Sequence, residues 1–202
     1  MRRRYKLLII IFISFLLALI IYFAFHKDTY LYFAIGDNLN NNLSTYSYID
    51  YINNLSTQKN YHFHKYTNSY ITVESILEDI QNDIKDINYY LKNANLITIS
   101  LGTEELYNYN ELNDEIILDY LNNMYNLLNT VRRLNKNDVY IINVYDDNYS
   151  FINNKIKKYA LDNDINYIGI EQFNKNAIYQ INNKSYLSYK DHQKLANLIT
   201  HK

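Results

Sequence analysis

The chain has 202 residues, 48% of them hydrophobic and 20% charged, with a formal charge of −1 at neutral pH. That suits one domain with a sizeable core. The absence of cysteine excludes disulfides, thiolate metal sites and a lipid-modified cysteine anchor. There are 24 Tyr, no Trp and no Pro, in a chain dense in Asn, Ile and Lys. Such usage follows from AT-rich coding, so the tyrosines and asparagines are read as codon bias before they are read as a binding platform.

Residues 1–6, MRRRYK, form a basic tail, and residues 7–25, LLIIIFISFLLALIIYFAF, carry no charge. A helix of about 20 residues spans a bilayer core. The heavier positive charge precedes the run, so the tail is expected in the cytoplasm and residues 27–202 outside. A cleaved signal peptide is the alternative. The run is long for one, and no small-x-small site follows it. Without Arg2, Arg3, Arg4 and Lys6 the chain keeps sixteen basic against twenty-one acidic residues, a formal −5. Nucleic acid requires a basic face, so it is excluded as a partner. The same balance gives this domain no reason to cling to anionic lipid. The expected partner is the cytoplasmic membrane, through residues 7–25.

Beyond the anchor, β-rich apolar runs occur at Tyr30–Ile35, Tyr61–Tyr66, Leu96–Leu101, Val139–Val144 and Tyr167–Ile170. Helical spacing fills the gaps. ITVESILEDIQNDIKDINYYLKN puts Val73, Ile76, Leu77, Ile80, Ile84 and Ile87 on one stripe. Ile117, Leu121, Met124, Leu128 and Val131 form a second. SFINNKIKKYALDND and YKDHQKLANLITHK complete the set. The alternation implies a three-layer α/β/α domain of flavodoxin size, its parallel sheet of about five strands covered on both faces.

In such sheets ligands bind beyond the carboxyl ends of the strands. The chain has three glycines. Gly36 follows the first run, Gly102 follows the third and Gly169 lies in the fifth. Glycine serves where φ is positive or where backbone must approach closely. The first two therefore mark either constrained turns or plain strand-to-helix connections.

Three stretches sit at those ends: AIGDNLN, NANLITISLGTEEL and INNKSYLSYKDHQKLANLI. Together, over roughly Tyr30 to Ile199, they resemble the SGNH or GDSL esterases and lipases, in the form found in low-GC Gram-positive bacteria. The resemblance implies a flavodoxin-like sheet of strand order 2-1-3-4-5. It implies a serine nucleophile in the first block, and a histidine in the last with an aspartate three residues before it. The oxyanion would be held by the serine amide, a second-block glycine amide and a third-block asparagine.

Carried over residue by residue, the nucleophile falls on Asn38, whose amide no histidine can activate. The second-block glycine falls on Tyr70. The oxyanion asparagine falls on Glu104, where a negative charge opposes an oxyanion, and Glu105 replaces the next aspartate. Aligning KLANLI with the final helix puts the histidine on Tyr186 and the aspartate on Asn183. Tyrosine, with a pKa near 10, is a weak base at neutral pH. The other register takes His192 as the base, with Tyr189 in the aspartate's place and about ten residues left for the helix. Helix length favours Tyr186. The expectation is a degenerate esterase, with Gly36, Asp37, Tyr70, Gly102, Glu104, Glu105 and Tyr145 around its crevice. It would hold an envelope glycan or acylated ligand and need no cofactor.

Two other readings stay open. Asp37, Glu104 and Glu105 together could ligate a hard cation or act as acid and base on a glycoside. Against this, acidic residues commonly serve helix N-termini, and Ser44 and Ser47 also suit a helix start. His62 and His64 alternate along YHFHKY, a spacing that suits a metal or simply a half-exposed edge strand. No third ligand is evident, so no metal is assigned.

Overall fold

The computed structural model describes residues 12–17, 29–37, 47–55, 61–68, 71–109, 111–144, 147–169, 173, 178–181 and 184–200. Five parallel strands form one sheet: β1 (Tyr30–Asp37), β2 (Tyr61–Asn68), β3 (Leu96–Ser100), β4 (Asp138–Ile142) and β5 (Asn166–Ile168). Their order is β2-β1-β3-β4-β5, as the resemblance implies. The register runs Tyr30↔Tyr61, Gly36↔Ser100, Ile99↔Ile141 and Ile142↔Ile168.

The strands are apolar on both sides because helices cover both sides. Successive side chains alternate across the sheet. Phe33, Ile35, Ile97, Ile99 and Ile141 face one core, and Tyr32, Ala34, Leu96, Tyr140 and Ile142 face the other. The first core is closed by α2 (Val73–Gln81), α3 (Ile87–Asn93), α5 (Asp114–Leu134) and α6 (Ser150–Asp162). The second is closed by α1 (Tyr48–Leu55) and α7 (Tyr189–Thr200). A short helix, α4 (Thr103–Tyr107), follows β3.

Several expected boundaries shift. β1 runs on through Gly36 and Asp37, so that glycine lies inside the strand. β5 ends at Ile168, and Gly169 follows it. The 72–93 stripe is two helices. Thr72 and Ser75 form a capping box at the start of α2, and the chain breaks at Asp83, Lys85 and Asp86, all with positive φ. Ile84 leaves the stripe there and is 43% exposed. A two-stranded antiparallel sheet, β6 (Ile178–Ile181) and β7 (Lys184–Leu187), lies ahead of α7 and was not anticipated.

Of the apolar run 7–25, only residues 12–17 are described, as an exposed helical turn. Among the described residues no helix is long and apolar enough to cross a membrane.

Candidate functional site

The carboxyl ends of β1 and β3 meet at Gly36 and Ser100. A Cβ on Gly36 would lie 2.9 Å from the Ser100 carbonyl oxygen, so a side chain there would press on backbone. Two residues on, Gly102 has φ +101°. The Tyr120 hydroxyl stands 2.0 Å from where its Cβ would be, and donates to the Leu101 carbonyl at 3.3 Å. Both glycines are therefore constrained, one by close approach and one by conformation.

Gly102 turns the chain into α4, which buries Thr103 and Leu106 and leaves Glu104 and Glu105 half-buried. Glu105 reaches across to α2, where its Oε2 accepts the Val73 N–H at 2.9 Å. That satisfies one orphan amide of the α2 N-terminus. Burial pushes the Glu105 carboxyl pKa up, the Val73 bond opposes this, and Glu74 and Asp119 add to the rise. Glu105 thus serves a helix N-terminus, the plainer of the roles left open from sequence, although the helix it caps is α2 and not its own.

The last block is built like the start of α1. Ser47 donates its hydroxyl to Asp50 at 2.8 Å, and Asp50 Oδ2 also accepts the Ser47 N–H. At the head of α7 the Ser188 hydroxyl bonds Asp191 and accepts the Asp191 N–H at 3.4 Å. The first is a serine–aspartate capping box, and the second shares its side-chain contact. The two first turns pack together: Tyr48 stacks on His192 at 6.3 Å, and Tyr51 meets Tyr189 edge-on at 5.5 Å. His192 is buried, and its Nδ1 accepts the Tyr48 N–H at 3.3 Å. Accepting at Nδ1 leaves the proton on Nε2, so the neutral ring has no free lone pair. Burial pulls its pKa down to about 4, against the opposing pull of Asp191 and Asp50.

Asn38, Tyr70, Tyr145 and Asn183 lie outside the described residues. Asp37 and Tyr186 are placed by backbone alone: Asp37 pairs with Asn68 at the end of β1, and Tyr186 pairs with Tyr179 in the β6–β7 hairpin. His62 and His64 sit in the amino-terminal half of edge strand β2, away from the crevice. His64 stacks flat on Tyr90 at 3.7 Å, and burial with Lys85 lowers its pKa. Among the described residues no group of three His, Asp or Glu is arranged to hold a metal ion.

One residue at this end escaped the sequence reading. Asn143 follows β4 and is 3% exposed. Neither its Nδ2 nor its Oδ1 has a hydrogen-bond partner. Its backbone N–H donates to Ile168 at 3.1 Å. The signal was a polar residue closing an otherwise apolar buried strand.

Three solved structures share this architecture. An acetyl xylan esterase matches with a TM-score of 0.60 at 13% identity, over 83% of this chain and 96% of its own. A lipase from a goat rumen metagenome gives 0.58 at 15%, over 84% and 95%. A protein classed with the lipolytic G-D-S-L family, from Desulfitobacterium hafniense DCB-2, gives 0.54 at 12%, over 84% and 96%. The fold is that of the SGNH esterases and lipases. At such identities the likeness extends to the SGNH fold alone. By sequence, no family model and no curated protein matches.

Proposed function

We propose that this chain is a membrane-anchored SGNH-fold protein that has lost ester hydrolysis and keeps its strand-end crevice for binding or scaffolding at the cell envelope. The observation that carries the reading is the commitment of His192. It is the one described histidine near the crevice end of the sheet, and its only basic nitrogen is spent on the α1 backbone. That leaves Tyr186 in the family's base position. Asn38 in the nucleophile position and Glu104 in the oxyanion position agree with it. Removing one oxyanion donor alone costs roughly 3–4 kcal/mol of transition-state stabilisation, and a carboxylate in its place opposes the charge that must develop. The anchor, residues 7–25, would leave the domain extracytoplasmic.

The test is hydrolysis of short-chain activated esters by the full chain in detergent, beside Asn38→Ala, Glu104→Ala and Glu105→Gln. Four equal background traces are expected. Turnover by the wild type that one substitution abolishes would replace this reading with an active hydrolase of unfamiliar chemistry, built on Asp37, Glu104, Glu105 or His192.

A further inference from the structure

The formal −5 of the chain beyond its basic tail conceals a separation of charge. No Lys or Arg lies between Lys92 and Arg132, a stretch that holds six carboxylates. With 21 residues, α5 is about 30 Å long. Asp114 and Glu115 stand exposed in its first turn, at the carboxyl end of the sheet. Arg132 and Arg133 occupy its last turn, at the amino end. Glu74 in the first turn of α2 repeats the acidic end, and Lys92 in the last turn of α3 repeats the basic one.

The basic end is a single braced corner. Asn135 donates to the Leu91 and Ala94 carbonyls at 2.7 and 2.8 Å and accepts the Asn137 N–H at 2.7 Å. The Asn137 carboxamide donates to Ala94 at 2.9 Å, and Arg132 donates to the Asn137 carbonyl at 2.9 Å. These bonds tie the α3–β3 turn to the α5–β4 turn, whose strands pair at Leu96↔Asp138. Lys92, Arg132, Arg133 and Lys136 are thereby held together, and all but Arg132 are exposed. Helix C-termini favour cations, which accounts for Lys92 and the arginines one at a time. Lys136 lies beyond both helices, where that account does not reach. The acids at this end are Asp138, and Asp162 and Asp164 at the next connection, between α6 and β5.

We infer that this corner docks on anionic phospholipid headgroups and so fixes the tilt of the domain on its anchor. The inference rests on the anchor proposed above. Four residues join the apolar run 7–25 to Tyr30, the start of β1, and they span at most about 14 Å. Such a tether keeps the amino-terminal end of the sheet beside the bilayer. A cationic patch is drawn to anionic headgroups over about one Debye length, roughly 8 Å, so a patch elsewhere on the domain would feel little. Tethering also selects the lipid over a soluble polyanion. The lipid surface is always within reach, whereas a free anion must be captured from solution. The same headgroups repel Glu74, Asp114 and Glu115 at the far end. Attraction and repulsion therefore turn the domain the same way, with its strands standing off the bilayer.

The test uses the full chain reconstituted in phosphatidylcholine vesicles, with and without phosphatidylglycerol, carrying spin-labelled headgroups in both leaflets. A fluorophore is placed on Asn93→Cys, exposed beside Lys92, or on Asp28→Cys, next to the apolar run. Each is made in the wild-type background and with Arg133→Gln and Lys136→Gln together, two exposed positions whose change leaves the core untouched. The Asn93→Cys label should be quenched roughly twice as strongly on anionic as on neutral vesicles. That excess should vanish in the double variant, and also in about 1 M NaCl, where screening shortens to roughly 3 Å. The Asp28→Cys label should be quenched throughout. If it is, but the excess at Asn93→Cys is missing or survives the double variant, the anchor stands and the docking is overturned. No quenching of the Asp28→Cys label would remove the anchor, and the docking with it. Inorganic polyphosphate added to the neutral vesicles should leave the Asn93→Cys emission unchanged. A change that the double variant abolishes would make the partner a soluble polyanion instead of lipid.

Discussion

At Gly102 the chain has no room for a side chain, and this bears directly on the crevice. A methyl group there would need both a φ of +101° and the displacement of Tyr120, whose ring carbons lie within 2.9 Å of the new atom. A non-glycine residue in that conformation costs about 1–3 kcal/mol before any clash. Gly102→Ala is expected to lose more than about 3 kcal/mol, and Gly36→Ala about 1–3 kcal/mol from pressure on the Ser100 carbonyl. Urea melts would show it; wild-type midpoints would mean that these turns are not constrained. Glu105 makes a finer test. Its folded pKa is raised, so its contribution is fully present below the unfolded carboxyl value and is lost as pH rises through the folded one. Gln keeps an oxygen for the Val73 amide and sheds the charge. Glu105→Gln should therefore match or exceed the wild type in thermal melts at pH 7, while Glu105→Ala should lose about 1 kcal/mol with the cap. Equal loss in both would mean that the charge itself holds α2.

The seam between α1 and α7 couples the first block of the chain to the last. His192 closes it by accepting the Tyr48 amide, which only the neutral ring can do. Its folded pKa lies below the unfolded one, so the stability it contributes is present above about pH 6.5 and is lost as pH falls towards 4. The largest loss is on the order of 3 kcal/mol, with the opposing pull of Asp191 and Asp50 already included. His192→Gln can still accept the amide but does not titrate. Its melting temperature should fall less than that of the wild type between pH 7 and pH 4.5; parallel curves would remove His192 as the titrating group. Much at this scale was legible in the sequence. The five parallel strands read clearly because burial on both faces leaves unbroken apolar runs, and the α5 stripe survives intact. The helix break at 83–86 did not read, because Ile84 keeps the apolar spacing while the backbone turns away under it. The hairpin had a signal, Asn-Asn between alternating IYQI and KSYL, that a search for parallel strands passes over. The site read less well. Glu105 meets an amide 32 residues upstream, and Tyr120 roofs a glycine in the preceding turn. Neither contact leaves a local trace in the sequence.

The whole molecule has a direction once an anchor is placed at residues 7–25. Four residues separate that run from Tyr30, and they reach at most about 14 Å. Tyr30 opens β1 at the amino-terminal edge of the sheet, beside Tyr61, with which it stacks at 5.8 Å. Since all five strands run the same way, this edge would face the bilayer and the carboxyl ends would open away from it. An eight-residue strand rises about 26 Å, which sets the crevice well clear of the lipid headgroups. The arrangement suits a protein that holds something in the envelope space, and would hinder one that takes acyl chains directly from the membrane. The lack of native cysteine makes this measurable without background. A fluorophore on Asp138→Cys, exposed at the start of β4, should be quenched by spin-labelled headgroups in reconstituted vesicles. The same fluorophore on Asp114→Cys, exposed at the start of α5 near the carboxyl ends, should not be. Quenching at Asp114 alone would mean that the crevice faces the lipid and would recast the ligand as a membrane component, and quenching at neither position would remove the anchor from the argument.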